Sequence, residues 1–433
     1  MPPKLFLLMV VFLTTQPFSF SQQKDTITEK DAGRVIRYLA ADSLKGRGNV
    51  SPDLLKVALF IGNEFRKDGL QVMPGAAGYY FPFHPFSGKS VVILDQLTLN
   101  GKKLSPAQFS YFHPRPGNYS DKKLDNFKVI KLDSFITGDI LEHYSDDTSS
   151  LLLWTDQKQP GGKIFPAKIT MPAEGLKRNV LVVYNESSPQ SLSLAGFPSQ
   201  YLMTEYNVVG LLPGRSKPEE VIIFSAHYDH EGVYGAKGDS ILNGANDNAS
   251  GTTALLLLAD YFCKRKDNER TILFCAFAAE ELGLLGSKDF VEYIDPVKII
   301  AGINIEMIGV PQYGKNKITI IGEKYSDLPR LLSRGFKNRG IVITREPSLE
   351  KQLFQRSDNY YFALKGIPFH TIMSSDDDDA CYHQPCDEVK RINIANMTRI
   401  INAIAAAARP LINGEATPRR TDPDEVKIEE PKQ

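Results

Sequence analysis

The sequence predicts an α/β fold, because short apolar runs alternate with longer segments of helical periodicity. Val208–Leu212 and Val221–Phe224 have the length and the branched or aromatic side chains of buried strands. Helical spacing of apolar residues marks Leu255–Lys264, Asp327–Asn338 and Ile392–Ala407. Such alternation is typical of a sheet covered by helices. We therefore predict an α/β sandwich.

Length and charge narrow the class of protein. A chain of 433 residues with 42% hydrophobic composition can bury a large core in one large domain or two. The 51 basic and 51 acidic residues give a formal net charge of +0. This balance argues against nucleic acid or an anionic membrane as a partner.

The amino terminus has the pattern of a cleaved secretory signal over residues 1–21. Lys4 precedes an apolar core from Leu5 to Leu13, and small residues flank Phe20 at the predicted cleavage point. The apolar core is short for a membrane span, and no cysteine follows the cleavage point to carry a lipid. We expect a periplasmic or secreted protein without membrane insertion after cleavage; a retained anchor is the alternative.

The rest of the chain divides by composition. Residues 27–70 predict two helices around the turn Leu44–Gly48, and residues 22–88 together with 179–413 form the main predicted domain. Residues 89–178 predict a β-rich insertion, with short strands at Val91–Leu94, Val129–Leu132 and Leu151–Trp154. Strands of the main domain are expected to resume at Asn179–Tyr184. Residues 414–433 are rich in Pro and charge, which predicts a disordered tail.

Ligand-type side chains follow two of the predicted strands. His227 and Asp229 come directly after Val221–Phe224, and Glu280 and Glu281 end the apolar run Thr271–Ala278. In His227-x-Asp229 both side chains point to one side of an extended backbone, so His227 can bind a metal while Asp229 accepts its other imidazole N–H. The adjacent glutamates repel each other unless a cation holds one and the other acts as an acid or base.

A third carboxylate lies between these two clusters. Asp247 occupies a turn-rich loop before Ser250, which is expected to cap the following helix. A carboxylate fixed at such a turn can bridge two ions. Each of the three patterns alone is common in solvated turns and helix starts, but their joint occurrence at element ends predicts a metal site.

These motifs resemble those of the exported zinc aminopeptidases of peptidase family M28. The resemblance covers residues 28–85 and 205–410 and includes Asn304–Gly309 and Cys381–Asp387. It implies a three-layer sandwich around a mixed, roughly eight-stranded sheet. It further implies that Asp247 bridges two zinc ions per chain. The other implied ligands are His227 and Glu306 on one ion, and Glu281 and His383 on the other. The resemblance also implies that Glu280 is the general base.

Three positions leave alternatives open. The family commonly has Asp where this chain has Glu306, so Glu306 is either a ligand or a surface residue beyond its strand. Tyr382 either donates a hydrogen bond to an oxyanion or is a buried structural tyrosine. In Ser357-Asp358-Asn359, where Asn359 replaces the family's usual His, the first two residues either position substrate or cap a helix.

Cysteines and an acidic run surround the last motif. Cys381 and Cys386 bracket His383 at a spacing that a disulfide can span, with a Cys–Cys–His zinc site as the rival interpretation. Cys263 and Cys275 are expected to be free thiols in the core. The acidic run 376–379 is either a solvated loop or a rim that attracts a protonated substrate amine.

Together these features predict an exported zinc aminopeptidase that hydrolyses amino-terminal residues from peptides. The predicted reaction uses a water held between two metals, with Glu280 taking its proton and Asp229 and Tyr382 assisting. One alternative is a single-zinc enzyme that cyclises amino-terminal glutamine. Another is a non-catalytic descendant of the fold that acts as a binding module.

Overall fold

The computed structural model describes residues 26–85, 90–91, 96–105, 108–113, 122–144, 149–159, 165, 178–195, 204–233, 239–347 and 349–427. The predicted signal peptide, residues 1–21, lies outside the described residues. Across the part of the chain that is described, we find no helix with the length and apolar character needed to cross a bilayer.

Nine α-helices occur in the described residues. In chain order they are α1 Glu29–Leu39, α2 Pro52–Asp68, α3 Gly251–Arg265, α4 Leu285–Phe290, α5 Leu328–Asn338, α6 Asn359–Leu364, α7 Ile394–Ala407, α8 Arg409–Ile412 and α9 Pro423–Val426. The two predicted amino-terminal helices are α1 and α2. A 3-10 turn over Asp42–Arg47 joins them.

Nineteen strands occur in the same residues. In chain order they are β1 Tyr80–Phe83, β2 Ser90–Val91, β3 Gln96–Leu99, β4 Lys102–Lys103, β5 Phe109–His113, β6 Lys122–Lys123, β7 Lys128–Lys131, β8 Leu151–Thr155, β9 Val180–Tyr184, β10 Leu192–Ala195, β11 Glu205–Leu212, β12 Lys217–His227, β13 Gly232–Val233, β14 Ile241–Leu242, β15 Arg270–Phe277, β16 Ile299–Ile305, β17 Lys317–Ile320, β18 Val342–Ile343 and β19 Phe369–Met373.

The central sheet has eight strands in the order β1-β11-β15-β12-β16-β19-β17-β18. The four middle strands, β15, β12, β16 and β19, are parallel to one another. Antiparallel pairing joins β1 to β11, β11 to β15 and β17 to β19. The prediction of an α/β fold around a mixed, roughly eight-stranded sheet is therefore confirmed.

Helices cover both faces of this sheet because its strands are apolar on both sides. Along β12, Ile222 and Phe224 join the large core cluster that also contains residues of α1, α2, α3, α5 and α7. Ile223, which points the other way, packs in a second cluster with Phe290 of α4 and Phe362 of α6. Strands buried on both faces read as continuous apolar runs, which is the pattern that the sequence shows.

The β-rich insertion forms two further sheets with their own cores. Their strand orders are β4-β3-β10-β6 and β2-β5-β9-β8-β7. Val180–Tyr184 pairs with β5 and β8, and Leu192–Ala195 pairs with β3 and β6. The insertion therefore extends past residue 178 to at least residue 195, and the assignment of Asn179–Tyr184 to the main domain was wrong. An apolar run has the same appearance in the central sheet and in the sheets of the insertion. The sequence alone could therefore not show which strands Val180–Tyr184 pairs with.

The chain from Gly414 to Lys427 is ordered, so the predicted disordered tail is wrong for this stretch. The Arg420 guanidinium donates to the carbonyls of Ile299 and Pro296, at 2.6 and 3.0 Å. Val426 is fully buried in a cluster with Leu353 and Phe354. One apolar anchor and a few main-chain contacts hold the segment, a signal too sparse to detect by composition. Residues 428–433 lie outside the described residues.

Candidate metal centre

The site lies at the carboxyl ends of three adjacent parallel strands. His227 is the last residue of β12, Glu306 follows the last residue of β16, and Glu280 and Glu281 come just after β15. The carboxyl ends of parallel strands meet at one sheet edge, where ligands collect in open α/β folds. The structure thus brings together four of the residues predicted from the sequence.

A tight turn over Ala245–Ser250 carries Asp247 into the same place. The amides of Asn246 and Asp247 donate to the Asp387 carboxylate at 2.9 and 3.1 Å, which anchors the turn. Ser250 does not cap α3 as predicted. Its hydroxyl donates to the Asn246 carbonyl at 2.7 Å, so it closes the turn itself. Asp387, which the sequence motif contained without a role, is the residue that fixes this loop.

The ligand-type side chains form two adjacent groups. We call His227, Glu280 and Glu306 the strand group, and His230, Asp247, Glu281 and His383 the loop group; within each, the ligand atoms lie within 4.8 Å of one another. Asp247 faces both groups. Its Oδ1 lies 3.4 Å from His227 Nε2, and its Oδ2 lies 3.1 Å from His383 Nε2. The two oxygens of one carboxylate are thus divided between two potential ion sites.

His230 belongs to the loop group, although no role was predicted for it. It is fully buried, and its Nδ1 lies 2.9 Å from Glu281 Oε1. The other oxygen, Glu281 Oε2, lies 3.3 Å from His383 Nε2. The histidine stands directly after His-x-Asp, but β12 ends at His227, so strand alternation could not predict its direction. Its place beside two candidate ligands was the available signal.

Asp229 contacts the glutamate pair more closely than the imidazole of His227. Its two carboxylate oxygens accept the amides of Glu280 and Glu281, each at 3.2 Å, and Oδ2 accepts Asn49 Nδ2 at 2.8 Å. His227 Nδ1 is 3.7 Å from Asp229 Oδ1, beyond a normal hydrogen bond. The predicted hydrogen bond from His227 to Asp229 is therefore not formed. Asp229 instead orients the backbone that carries the two glutamates.

Glu306 is buried beside the other ligands, so the alternative of a surface residue was wrong. Only 8% of the residue is exposed. Ser357 Oγ donates a short hydrogen bond to Glu306 Oε2, and Asn304 Nδ2 lies 3.4 Å from the same oxygen. Ser357 therefore holds a ligand-type side chain. Asp358 precedes α6 without a side-chain cap, and it is fully buried.

The two adjacent glutamates have opposite acid–base properties. Desolvation raises the pKa of Glu280 well above its ordinary value, despite the nearby His227. Burial also disfavours the charged form of Glu281, but hydrogen bonds from His230 and His383 lower its pKa to about 2. Neighbouring carboxyls whose pKa values are driven apart mark a division of labour between proton transfer and charge.

Backbone strain is concentrated beside the ligands. Ala279, Met307 and His383 have left-handed φ angles of 57°, 50° and 51°. Ala279 and Met307 each adjoin a ligand-type residue, and His383 is itself one of these residues. Side chains other than glycine adopt this region at a cost, which the surrounding contacts must offset.

A cleft of about 370 Å³ opens over the site. Its lining comprises Asp247, Glu280, Glu306, Met307, Leu353, Arg356, Met373, Asp377 and Tyr382. Tyr382 stacks on His383 with a centroid distance of 3.9 Å, and burial raises its pKa well above the usual range. The phenol is therefore a hydrogen-bond donor that faces the cleft.

The state of the four cysteines settles one open alternative. Cys381 and Cys386 form a disulfide, and Cys263 and Cys275 are free and buried, as predicted. The Cys–Cys–His zinc site is therefore wrong.

The acidic run beside that disulfide is largely neutralised. Lys351 Nζ lies 3.4, 2.8 and 2.6 Å from carboxylate oxygens of Asp376, Asp377 and Asp378. Arg391 pairs with Asp379 at 2.7 Å. The run is a network of ion pairs, and its contacts do not favour the alternative of an acidic rim.

The donor set fits zinc. Among the described residues, both ring nitrogens of His227 are buried without a hydrogen-bond partner, and so is Nε2 of His230. Buried imidazole nitrogens normally have partners, so these are placed as a cation would require. Mixed imidazole and carboxylate ligands suit zinc in sites that keep an open position.

Comparison with known proteins agrees with this geometry. Residues 207–408 match the model of peptidase family M28. This segment of the chain belongs to peptidase family M28. The M28 segment contains every residue of both groups.

Two curated relatives extend the match. Aminopeptidase YwaD of Bacillus subtilis is 24% identical over 265 residues, which are 58% of this chain and 54% of that protein. Leupeptin-inactivating enzyme 1 of Streptomyces exfoliatus is 30% identical over 240 residues, which are 50% of each protein. The chain thus spans about half the length of these curated relatives.

A solved structure shows the same fold. BSAP, a zinc aminopeptidase from Bacillus subtilis, superposes with a TM-score of 0.65 at 17% identity. The match covers 94% of this chain and 100% of that chain. At this identity the likeness shows the fold alone.

Proposed function

We propose that this protein is a two-zinc aminopeptidase that removes amino-terminal residues from peptides. The observation that carries the proposal is the position of Asp247, whose two carboxylate oxygens face His227 and His383 separately. One carboxylate between two donor groups is the arrangement that a metal pair needs.

The chain supplies a ligand set for each ion. Asp247 is shared, His227 and Glu306 complete the first set, and Glu281 and His383 complete the second. Zinc bound there would acidify a water molecule and polarise the substrate carbonyl.

Glu280 is the proton carrier in this proposal. It lines the cleft, and desolvation favours its neutral form, so it can accept a proton from the attacking water and hold it. It then delivers that proton to the departing amine, while Asp229 keeps the Glu280 backbone in place. Tyr382 donates a hydrogen bond to the oxygen that becomes negative during attack.

The names of the relatives, the amino-terminal pattern and the disulfide support the same proposal. Both the curated Bacillus relative and the solved Bacillus structure are named aminopeptidases. We include export in the proposal, since residues 1–21 have the signal-peptide pattern. The disulfide between Cys381 and Cys386 fits an oxidising compartment.

The test combines metal analysis with two substrates on the purified, zinc-loaded protein. We expect two zinc ions per chain and release of a free amino acid from an unblocked peptide. The same peptide with an acetylated amino terminus should not be cleaved. Ammonia release from a glutaminyl peptide without hydrolysis would indicate the cyclase instead. A protein that binds no zinc and cleaves neither peptide would be a binding descendant.

A further inference from the structure

Arg47 is a buried cation whose contacts are all to main-chain carbonyl oxygens. Only 1% of the residue is exposed. Its guanidinium donates to Tyr228 O at 3.0 Å, Leu39 O at 2.8 Å, Asn243 O at 2.6 Å, Gly244 O at 2.9 Å and Asp247 O at 3.5 Å. Within the described residues it forms no ion pair. A buried arginine without a carboxylate partner is unusual, so these carbonyls account for its position.

These contacts join the segment that follows His227 to the loop that carries Asp247. Tyr228 lies between His227 and Asp229, while Asn243 and Gly244 come just before the turn with Asp247. One planar guanidinium thus ties Tyr228 to Asn243 and Gly244, beside the short hairpin in which β13 pairs with β14. The rigid fork of arginine can do this, whereas the single ammonium of lysine cannot reproduce it.

The turn that presents Arg47 is fitted against the same loops. Arg47 itself has a left-handed φ of 50°, and its carbonyl accepts the amide of His230 at 3.1 Å. A β-carbon on Gly46 would collide with the carbonyl oxygens of Leu242 and Gly232. The sequence therefore needs glycine beside the arginine for the turn to approach this closely.

A second contact from this turn reaches the site. Asn49 Nδ2 donates to Asp229 Oδ2 at 2.8 Å, and Asp229 in turn accepts the amides of Glu280 and Glu281. We define residues 46–50 as the clamp turn. It contacts His230 and Asp229 directly, and it reaches the Asp247 loop through Arg47.

We propose that the clamp turn, with Arg47 at its centre, is the positioning element that holds the ligand loops at the spacing needed for zinc. This inference rests on the proposed function, because it assigns no new reaction. Arg47 does not touch substrate or metal; it acts through the backbone of Tyr228, Asn243 and Gly244. Its effect is therefore expected in zinc affinity before it appears in turnover.

Charge and geometry make different predictions for Arg47. A cation near the ions would by itself weaken zinc binding, although it offsets repulsion among the carboxylates of the metal-free protein. Replacement by lysine retains the charge and loses the fork. If Arg47 acts through the shape of its guanidinium, the R47K variant binds zinc more weakly although its charge is unchanged.

Arg270 provides a matched control. It is 2% exposed and donates to the carbonyls of Leu411 and Ala416 at 2.8 and 2.6 Å, but it lies at the opposite end of β15 from Glu280. Unlike Arg47 it also pairs with a carboxylate, that of Glu220 at 2.6 Å. The R270K variant therefore loses a buried guanidinium, as R47K does, without affecting the loops that carry the ligands.

The experiment measures zinc affinity by chelator competition, together with the visible bands of the Co²⁺-loaded protein and the melting temperature without metal. We expect zinc affinity about tenfold lower or more in R47K, with altered Co²⁺ bands, as for outer-shell partners of metal ligands. R270K should bind zinc within about twofold of wild type, whatever its melting temperature. Equal affinities of R47K and wild type would overturn the proposal.

A milder variant keeps the test decisive if R47K does not fold. N49A removes one hydrogen bond of the clamp turn and leaves the buried cation in place. We expect a smaller loss of zinc affinity, about threefold, and unchanged affinity would overturn the proposal. Wild-type protein that binds no zinc would count against the proposed function, whereas two tightly bound ions in every variant would count against the clamp turn alone.

Discussion

The two halves of the site are held in place by different kinds of structure. In the strand group, His227, Glu280 and Glu306 stand at or just beyond the ends of parallel strands in the middle of the sheet. In the loop group, Asp247 lies on a turn and His383 on a disulfide-closed segment. The first group inherits its rigidity from the sheet. The second depends on added contacts, namely those of Asp387 and the disulfide.

This difference indicates how each group responds to change. A residue at a strand end keeps its position when a neighbouring hydrogen bond is lost, because the backbone is fixed by the ladder on both sides. A residue on a loop keeps its position only while its own contacts remain. We therefore expect perturbations of equal chemical size to affect the loop group more strongly than the strand group.

The sharpest test compares the adjacent glutamates, one from each group. Glu280→Gln should lower turnover by about 10³-fold or more, because the proton carrier is lost, while both zinc ions stay bound. Glu281→Gln should lose one zinc ion, because a ligand is lost. Elemental analysis and peptide hydrolysis on both variants provide the comparison. Substantial activity in Glu280→Gln would remove it from the mechanism.

A second comparison removes one ligand from each group. Glu306→Ala and His383→Ala should each reduce the zinc content from two ions to about one, since only two protein ligands would remain at the altered site. Co²⁺ spectra should differ between the two variants, because different sites remain. Two zinc ions in Glu306→Ala would exclude it as a ligand and favour a role as a hydrogen-bond partner of Ser357.

The loop group should be the more sensitive to its supporting contacts. Replacing both Cys381 and Cys386 by serine is expected to destabilise the fold by about 2 kcal/mol through loop-closure entropy. It should also weaken the zinc ion held by His383. Urea unfolding and chelator competition measure the two effects. Cys263→Ala, at a buried free thiol, is the control that should leave zinc affinity unchanged.

The strand group should show the smallest effect of a supporting contact. Ser357→Ala removes the hydroxyl that donates to Glu306, which we expect to cost about 1–2 kcal/mol and up to about tenfold in the affinity of one zinc ion. Ser326→Ala is the control, because its buried hydroxyl contacts His370 away from the ligands. A larger loss of affinity in Ser357→Ala than in the disulfide variant would reverse the comparison.

The strand group was the part of the site that the sequence could predict. An apolar run that stops abruptly at His227 or Glu280 reveals both the strand and the ligand at its end. Glu306 was expected as a ligand from the resemblance to family M28, and its support by Ser357 was not predicted. Burial and pairing of a single strand are local properties, so they leave a local pattern in the chain.

The supporting contacts could not be predicted for a physical reason. Arg47 binds carbonyl oxygens 181 to 200 residues further along the chain, and main-chain acceptors carry no residue-specific signal. Its turn showed only the pattern of a helix connector. Likewise, the apolar run at Val180–Tyr184 revealed a strand but not its sheet, because either sheet buries such a run equally well.

The link between the two ends of the domain bears on the order in which the molecule assembles. Ile27 exchanges two hydrogen bonds with the Asn402 side chain, at 3.1 and 2.9 Å, across a separation of 375 residues. Such distant contacts form late, since the entropy of closing so long a loop must first be overcome. The insertion, whose cores lie entirely within residues 97–194, can collapse while the rest of the chain is still being synthesised. The contact of Ile27 must wait for α7, so a chain truncated before residue 402 would keep the residues of the insertion's cores and lose this link between its ends.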